Sequence, residues 1–251
     1  MSIPSFRLDG KRALITGAGR GIGAAAAEAL AAFGAQVTLV SRTGSDIEEL
    51  TARINASGGK ASWKVGDVTD SRAMAALVED GEAHDVLVNN AGMNRTDTFV
   101  DVKEEDFDAI YALNVRACFF AAQAFARRLV REARPGSIVN MSSQMGHVGA
   151  ATRSVYCGTK WAIEGMTKAI AVDLAPAGIR VNTICPTFVE TPMANSFLKS
   201  DGFKAEVLSK IKLGRIGTVG DITGAVVFLA SDASALMTGS SIIVDGGWTA
   251  D

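Results

Sequence analysis

The chain has 251 residues, 48% of them hydrophobic, which is ample for a sizeable core in one large domain or two small ones. A formal net charge of −2 speaks against a nucleic-acid binder and a polybasic membrane surface. The three cysteines, Cys118, Cys157 and Cys185, form neither a metal-ligand pattern nor a disulfide framework, so no metal is expected and a reducing compartment is. The start, Met1-Ser2-Ile3-Pro4-Ser5-Phe6-Arg7, lacks an apolar signal core. No apolar run reaches transmembrane length. These features set the expectation of a soluble, cytoplasmic protein that acts without a membrane.

Short apolar runs alternate with longer amphipathic ones. Residues 12–15 read as a strand, followed at once by a glycine-rich turn. Residues 22–33 form an alanine-rich helix pattern closed by Gly34. A strand at 37–40, a helix at 46–55 ending before Gly58-Gly59, and a strand at 61–65 follow. Ser71 is placed as the cap of a helix through Val78, and 85–88 is the fourth strand. A helical pattern runs from Lys103 toward Glu132 with a bend expected near Asn114, until Pro135-Gly136 breaks it. Strands at 137–141, 180–184 and 242–244 enclose a long helix at 155–174. This alternation predicts an α/β fold: a doubly wound parallel sheet of about seven strands with helices on both faces. No Pro/Ser-rich linker divides the chain, so one domain over 1–251 is expected. Residues 187–217 break the rhythm, with short helical patterns at 193–198 and 204–211, and follow a strand end. Ligands in open α/β sheets bind beyond such ends, so this segment reads as a mobile substrate cover.

The turn Thr16-Gly17-Ala18-Gly19-Arg20-Gly21-Ile22-Gly23 lies between a predicted strand and a predicted helix. Its glycines permit tight backbone angles and close approach to phosphate, and the helix N-terminus favours an anion. That is the setting of a Rossmann-type dinucleotide site, with Gly17, Gly19, Arg20, Gly21, Ile22 and Gly23 as cofactor residues. NAD sites usually place an acid at the end of the second strand. Here that end reads Leu39-Val40-Ser41-Arg42-Thr43, without an acid. Arg42, beside Ser41, suits bidentate contact with a 2′-phosphate, and Arg20 is a second cation. NADP(H) is therefore expected over NAD(H). Asp67 is placed as acceptor for an adenine amino group and Val68 as a wall for the ring. Asn89-Asn90-Ala91-Gly92, through Asn89, Ala91 and Gly92, allows close cofactor approach.

Tyr156 and Lys160 stand four residues apart, and Ser143 precedes the tyrosine by thirteen. Residues i and i+4 share a helix face, so an ammonium comes beside a phenol. A neighbouring cation favours an ionised phenol. Such a group suits proton exchange with a substrate oxygen during hydride transfer between a nicotinamide and a carbonyl or alcohol.

Nearly the whole chain resembles the classical short-chain dehydrogenase/reductase family. The resemblance rests on the glycine turn, Asp67, Asn89 to Gly92, Asn114, Ser143, Tyr156, Lys160 and the terminal Val244-Asp245-Gly246-Gly247. It implies that Ser143 orients the substrate oxygen and that Tyr156 is the general acid in reduction. It further implies that Lys160 supports Tyr156 and holds the nicotinamide ribose, that Asn114 keeps a water in a proton relay, and that the protein is a homotetramer. Within the family the chain is most similar to L-xylulose (dicarbonyl) reductases, through Val40-Ser41-Arg42-Thr43, Asn114-Val115-Arg116-Ala117, Val139 to Gln144, Ser154 to Lys160 and Pro186-Thr187. Pro186 is included among the cofactor residues. Arg153 departs from that group, which tends to carry histidine there, and the cover after Met193 diverges. Ser143, Gln144, Arg153, Tyr156, Phe188 and Phe197 are the substrate-facing candidates. His147 reads as a loop residue and His84 as a surface residue. The leading expectation is NADP(H)-linked reduction of a small polar carbonyl such as a ketose or dicarbonyl, or polyol oxidation in reverse. A 3-oxoacyl-thioester (acyl-carrier-protein) reductase is the alternative. It needs a basic docking face, for which Arg127, Arg128, Arg131 and Arg134 are candidates. A non-catalytic nicotinamide sensor is disfavoured by the intact Ser143, Tyr156 and Lys160.

Overall fold

The computed structural model describes residues 3–250; Met1, Ser2 and Asp251, the ends of the expected domain, lie outside the described residues. Seven strands form one sheet: β1 (Arg12–Thr16), β2 (Gln36–Ser41), β3 (Lys60–Val65), β4 (Val86–Asn89), β5 (Gly136–Met141), β6 (Ile179–Pro186) and β7 (Ser241–Val244). Every pairing is parallel, in the order β3-β2-β1-β4-β5-β6-β7. Strand order reverses between β1 and β4, which opens a crevice beyond their carboxyl ends.

The helices are α1 (Gly21–Ala32), α2 (Gly44–Ala56), α3 (Ser71–Glu79), α4 (Glu104–Tyr111), α5 (Cys118–Arg131), α6 (Ser154–Leu174), α7 (Pro192–Phe197), α8 (Asp201–Lys210) and α9 (Gly220–Ala230). Parallel sheets built by helical crossovers are buried on both faces. Alternate strand residues accordingly enter two cores. Ala13, Ile15, Val86, Val88 and Val139 pack with α1, α2 and α9. Leu14, Leu87 and Ile138 pack on the other face with α3, α5 and α6.

The sequence reading assigned no helix to 220–230, where α9 lies. Gly220 and Gly224, with the β-branched Ile222, Thr223, Val226 and Val227, lower the intrinsic helix signal. Tertiary burial overrides it, because Ile222, Val226, Val227 and Leu229 are enclosed between the sheet and the alanine-rich α1. Asp70, rather than Ser71, caps α3: its side chain accepts from the Arg72 and Ala73 backbone N–H groups at 3.0 Å each. The expected bend near Asn114 is a π-helical turn, Ala112–Ala117, joining α4 to α5. The joined helix Glu104–Arg131, 28 residues long, has the length and composition to cross a membrane, which the sequence reading had not found. Here it is a core helix that buries Ala121, Ala122, Phe125 and Leu129.

His84, expected at the surface, is buried. Its Nε2 stands 3.0 Å from the Thr38 hydroxyl of the neighbouring strand region. Burial, assisted by Arg12 and Arg128, pushes its pKa down to about 4.

Candidate active site

A cavity of about 360 Å³ opens beyond the carboxyl ends of the strands, and the glycine turn forms one wall. Gly17 has φ +64°, and a Cβ there would lie 2.9 Å from the Ala91 Cα. At Gly23 a Cβ would meet the Gly17 carbonyl oxygen and the Asn90 side-chain nitrogen at 2.4 Å each. Gly17 thus admits the close backbone approach, while Gly23, outside the cavity lining, allows the helix to pack on its own turn. Asn90 locks the turn by donating to the Thr16 and Gly17 carbonyls at 3.1 and 3.0 Å. Arg20 is the N-cap of α1 without a side-chain cap bond, so the first N–H groups of α1 border the cavity.

Farther along the wall are Ser41, Arg42, Asp67, Val68, Ala91 and Gly92. Arg42 stands 3.9 Å from the Asp67 carboxylate, with its side chain 72% exposed. Asp67 accepts from the Thr69 N–H at 2.9 Å and hydroxyl at 2.7 Å. These bonds, then Arg42, hold its carboxyl below the usual range despite partial desolvation. The positions expected at the adenine, the arginines and the amide turn therefore converge, with one exception. Asn89 lies outside the cavity and donates inward to the Cys118 carbonyl (3.3 Å) and to Asn140 (3.0 Å). Asn90, not among the expected cofactor residues, borders the cavity instead. Strand periodicity carries the signal: the last residue of a fully buried strand belongs to the core, and the next is the first free of it.

At the other end Ser143, Gln144, Arg153, Tyr156, Lys160, Pro186, Phe188 and Phe197 line the same cavity. Ser143 follows β5, and its hydroxyl lies 2.6 Å from Gln144 Oε1, 3.1 Å from the Met145 N–H and 3.4 Å from the Pro186 carbonyl. Gln144 is 1% exposed, so it is no surface amide. Tyr156 lies in the first turn of α6, and Lys160 one turn on. The Lys160 ammonium stands 5.4 Å from the Tyr156 ring centroid and donates to the Met141 carbonyl at 2.8 Å. Asn114 is buried behind this pair. It accepts from the Met93 N–H and donates to the Met93 carbonyl, both at 2.9 Å, and its amide reaches Thr159 at 3.2 Å.

His147 lies outside the cavity lining, with Nε2 at 3.3 Å from Cys185 Sγ and 3.8 Å from Glu164. Glu164 already accepts from Thr183, Ser241 and Cys185. Burial and Glu164 push the Cys185 thiol up to about 12, against the thiolate that a metal requires. The arginines considered for carrier docking are largely engaged: Arg128 is buried on the Val78 and Gly81 carbonyls, Arg131 pairs with Glu79, and Arg134 with Asp85.

A family model described as enoyl-(acyl carrier protein) reductase matches residues 17–249. The chain is 42% identical to L-xylulose reductase of Bos taurus, over 98% of this chain and 99% of that one. The chain belongs to the short-chain dehydrogenase/reductase family. As a member of this family it is an oxidoreductase. Among solved short-chain dehydrogenase/reductases, one from Mycobacterium marinum superimposes with a TM-score of 0.93 at 38% identity, over 98% of each chain. A gluconate 5-dehydrogenase from Burkholderia cenocepacia J2315, in complex with NADP and tartrate, superimposes with a TM-score of 0.95 at 34% identity, over 100% of each chain.

Proposed function

We propose that this short-chain dehydrogenase/reductase is an NADP(H)-dependent oxidoreductase of small polar carbonyls and alcohols, with 187–217 as its substrate cover. One observation carries the reading: Ser143, Tyr156 and Lys160 border the same cavity as the glycine turn and Arg42. The cradle fits a dinucleotide, since side chains at Gly17 or Gly19 would fill the space beside Ala91 and Asp46. Gly17 to Ile22 hold the pyrophosphate, Arg20 and Arg42 the 2′-phosphate, Asp67 and Val68 the adenine, and Lys160 the ribose. Ala91, Gly92 and Pro186 flank the remainder, and Asn89 supports that wall from within. The bound nicotinamide supplies the hydride. Ser143 and Gln144 orient the carbonyl, and Tyr156 delivers the proton to its oxygen. Asn114 holds the turn behind Lys160, from which the tyrosine is resupplied through water.

We also infer a cytoplasmic homotetramer. Exposed apolar side chains on α4–α6 (Phe107, Phe119, Trp161, Val172) and the exposed Ile243 of edge strand β7 support assembly, which light scattering tests. Cysteines that are all buried and free suit a reducing compartment.

The test of function is NADPH oxidation across ketoses, dicarbonyls and acetoacetyl thioesters. Turnover of the polar carbonyls is expected. Turnover with a thioester alone would overturn the reading.

A further inference from the structure

Arg153 is the N-cap of α6, is 6% exposed, and borders the cavity three residues before Tyr156. A buried guanidinium ordinarily sits against a carboxylate. Among the described residues none stands within ion-pairing distance of it. One terminal nitrogen donates to the Ala151 carbonyl at 3.2 Å and reaches the Thr152 hydroxyl at 3.5 Å. The other nitrogens make no hydrogen bond to a described residue. Three rings surround the charge: Phe203 at 4.9 Å, Phe197 at 5.5 Å and Phe188 at 5.8 Å from ring centroid to guanidinium carbon. Cation–π attraction offsets part of the burial but offers no acceptor to the forked donors. Desolvation outweighs the pull of Cys157, Glu206 and Tyr156 and holds the guanidinium pKa below its ordinary value. Glu206, the acid whose charge acts on Arg153, is engaged by Lys210 at 3.2 Å. The preceding residue, Thr152, has φ +59°, a strained value for a β-branched side chain.

We propose that Arg153 receives a carboxylate of the substrate, so that the preferred substrate is a hydroxylated keto acid rather than a neutral ketose. This rests on the reading that Tyr156 protonates a carbonyl in the same cavity. Arg153 and Tyr156 line the same cavity, at the N-cap and in the first turn of α6, which places the guanidinium and the phenol within reach of one short molecule. A planar carboxylate pairs with two parallel donors of the fork, and the phenylalanine rings exclude the water that would weaken that pairing. A neutral hydroxyl engages fewer donors and leaves the charge uncompensated.

The experiment compares 5-keto-D-gluconate with L-sorbose, which carry the same carbonyl and differ at one end, carboxylate against hydroxymethyl. The expected kcat/KM favours the acid by roughly 10²-fold or more. Arg153→Gln should lower kcat/KM for the acid, through KM, by roughly tenfold or more beyond any loss on L-sorbose. Arg153→Lys, which keeps a charge among the rings, should restore part of it. Equal turnover of both carbonyls by the unaltered enzyme would overturn the proposal. So would an equal loss on both in Arg153→Gln, the mark of a merely structural role. A titration independent of turnover uses the NADPH-loaded enzyme with D-gluconate and with D-glucitol, since a reduced cofactor and an alcohol do not react. Gluconate binding that disappears in Arg153→Gln supports the proposal; no binding, or binding unchanged in the variant, overturns it. If neither carbonyl is reduced, the reductase reading fails, and the gluconate titration still decides the role of Arg153.

Discussion

Arg42 and His84 are residues for which exposure decides the chemistry. Arg42 keeps a largely exposed side chain on the cavity wall, 3.9 Å from Asp67, free to turn toward a phosphate. Arg42→Asp should reverse cofactor preference by roughly tenfold or more in kcat/KM, since it replaces a cationic contact with repulsion. An unchanged NADP-to-NAD ratio would remove Arg42 from the phosphate site. His84 is held neutral in the fold. Its folded pKa, about 4, lies below its ordinary 6.5, so the unfolded chain takes up the proton first. The stability it confers is complete above pH 6.5 and is lost as pH falls toward 4. Urea melts at pH 7.5 and 5 should differ by roughly 2 kcal/mol more in the natural protein than in His84→Gln. An identical pH dependence would mean that the imidazole is not buried neutral. The position of Arg42 was legible from a strand end without an acid. The burial of His84 was not, because its partner Thr38, itself joined to Ser62, is a neighbour only in three dimensions.

Elements with a strong period were legible to within a residue or two. Strands β1, β2, β3 and β5 alternate or run apolar between glycine signals, and α1 ends at Gly34 as expected. Helix α9 escaped because its residues favour strands when read alone and become helical through burial on both sides. The π-turn was seen as a bend, but its hydrogen-bond pattern has no residue signature. The segment 187–217 was recognised by broken rhythm, while its anchor was not. Asp221, at the start of α9, accepts from both terminal nitrogens of Arg215 at 2.7 Å and from the Thr218 N–H at 2.7 Å. Arg215, foremost among these, holds that carboxyl far below its usual range. Asp221→Ala should loosen the end of this segment, the proposed cover, and speed tryptic cleavage at Lys199 to Lys212 by about tenfold, as local opening becomes easier. Equal cleavage rates would show that the cover is held elsewhere.

At the scale of the whole molecule, the reversal of strand order between β1 and β4 gathers residues separated by well over a hundred positions. The turn after β1, assigned here to the phosphates, the ends of β2 and β3, assigned to the adenine, and the ends of β5 and β6 with the start of α6, assigned to the reaction, all line one cavity. Seven-strand alternation could be read along the chain, and the meeting of Tyr156 with Lys160 could be read from their helical spacing. Which side chains line the far end of the cavity could not be read so fully, because rings from a segment far downstream of Arg153 in sequence pack around it. The proposed chemistry depends above all on Tyr156 giving the proton. Single-turnover NADPH oxidation by Tyr156→Phe, at saturating carbonyl and with NADPH affinity measured in parallel, tests it most directly. The account predicts a loss of roughly 10²-fold or more in the hydride-transfer rate with cofactor affinity within about threefold. A near-normal rate would contradict it.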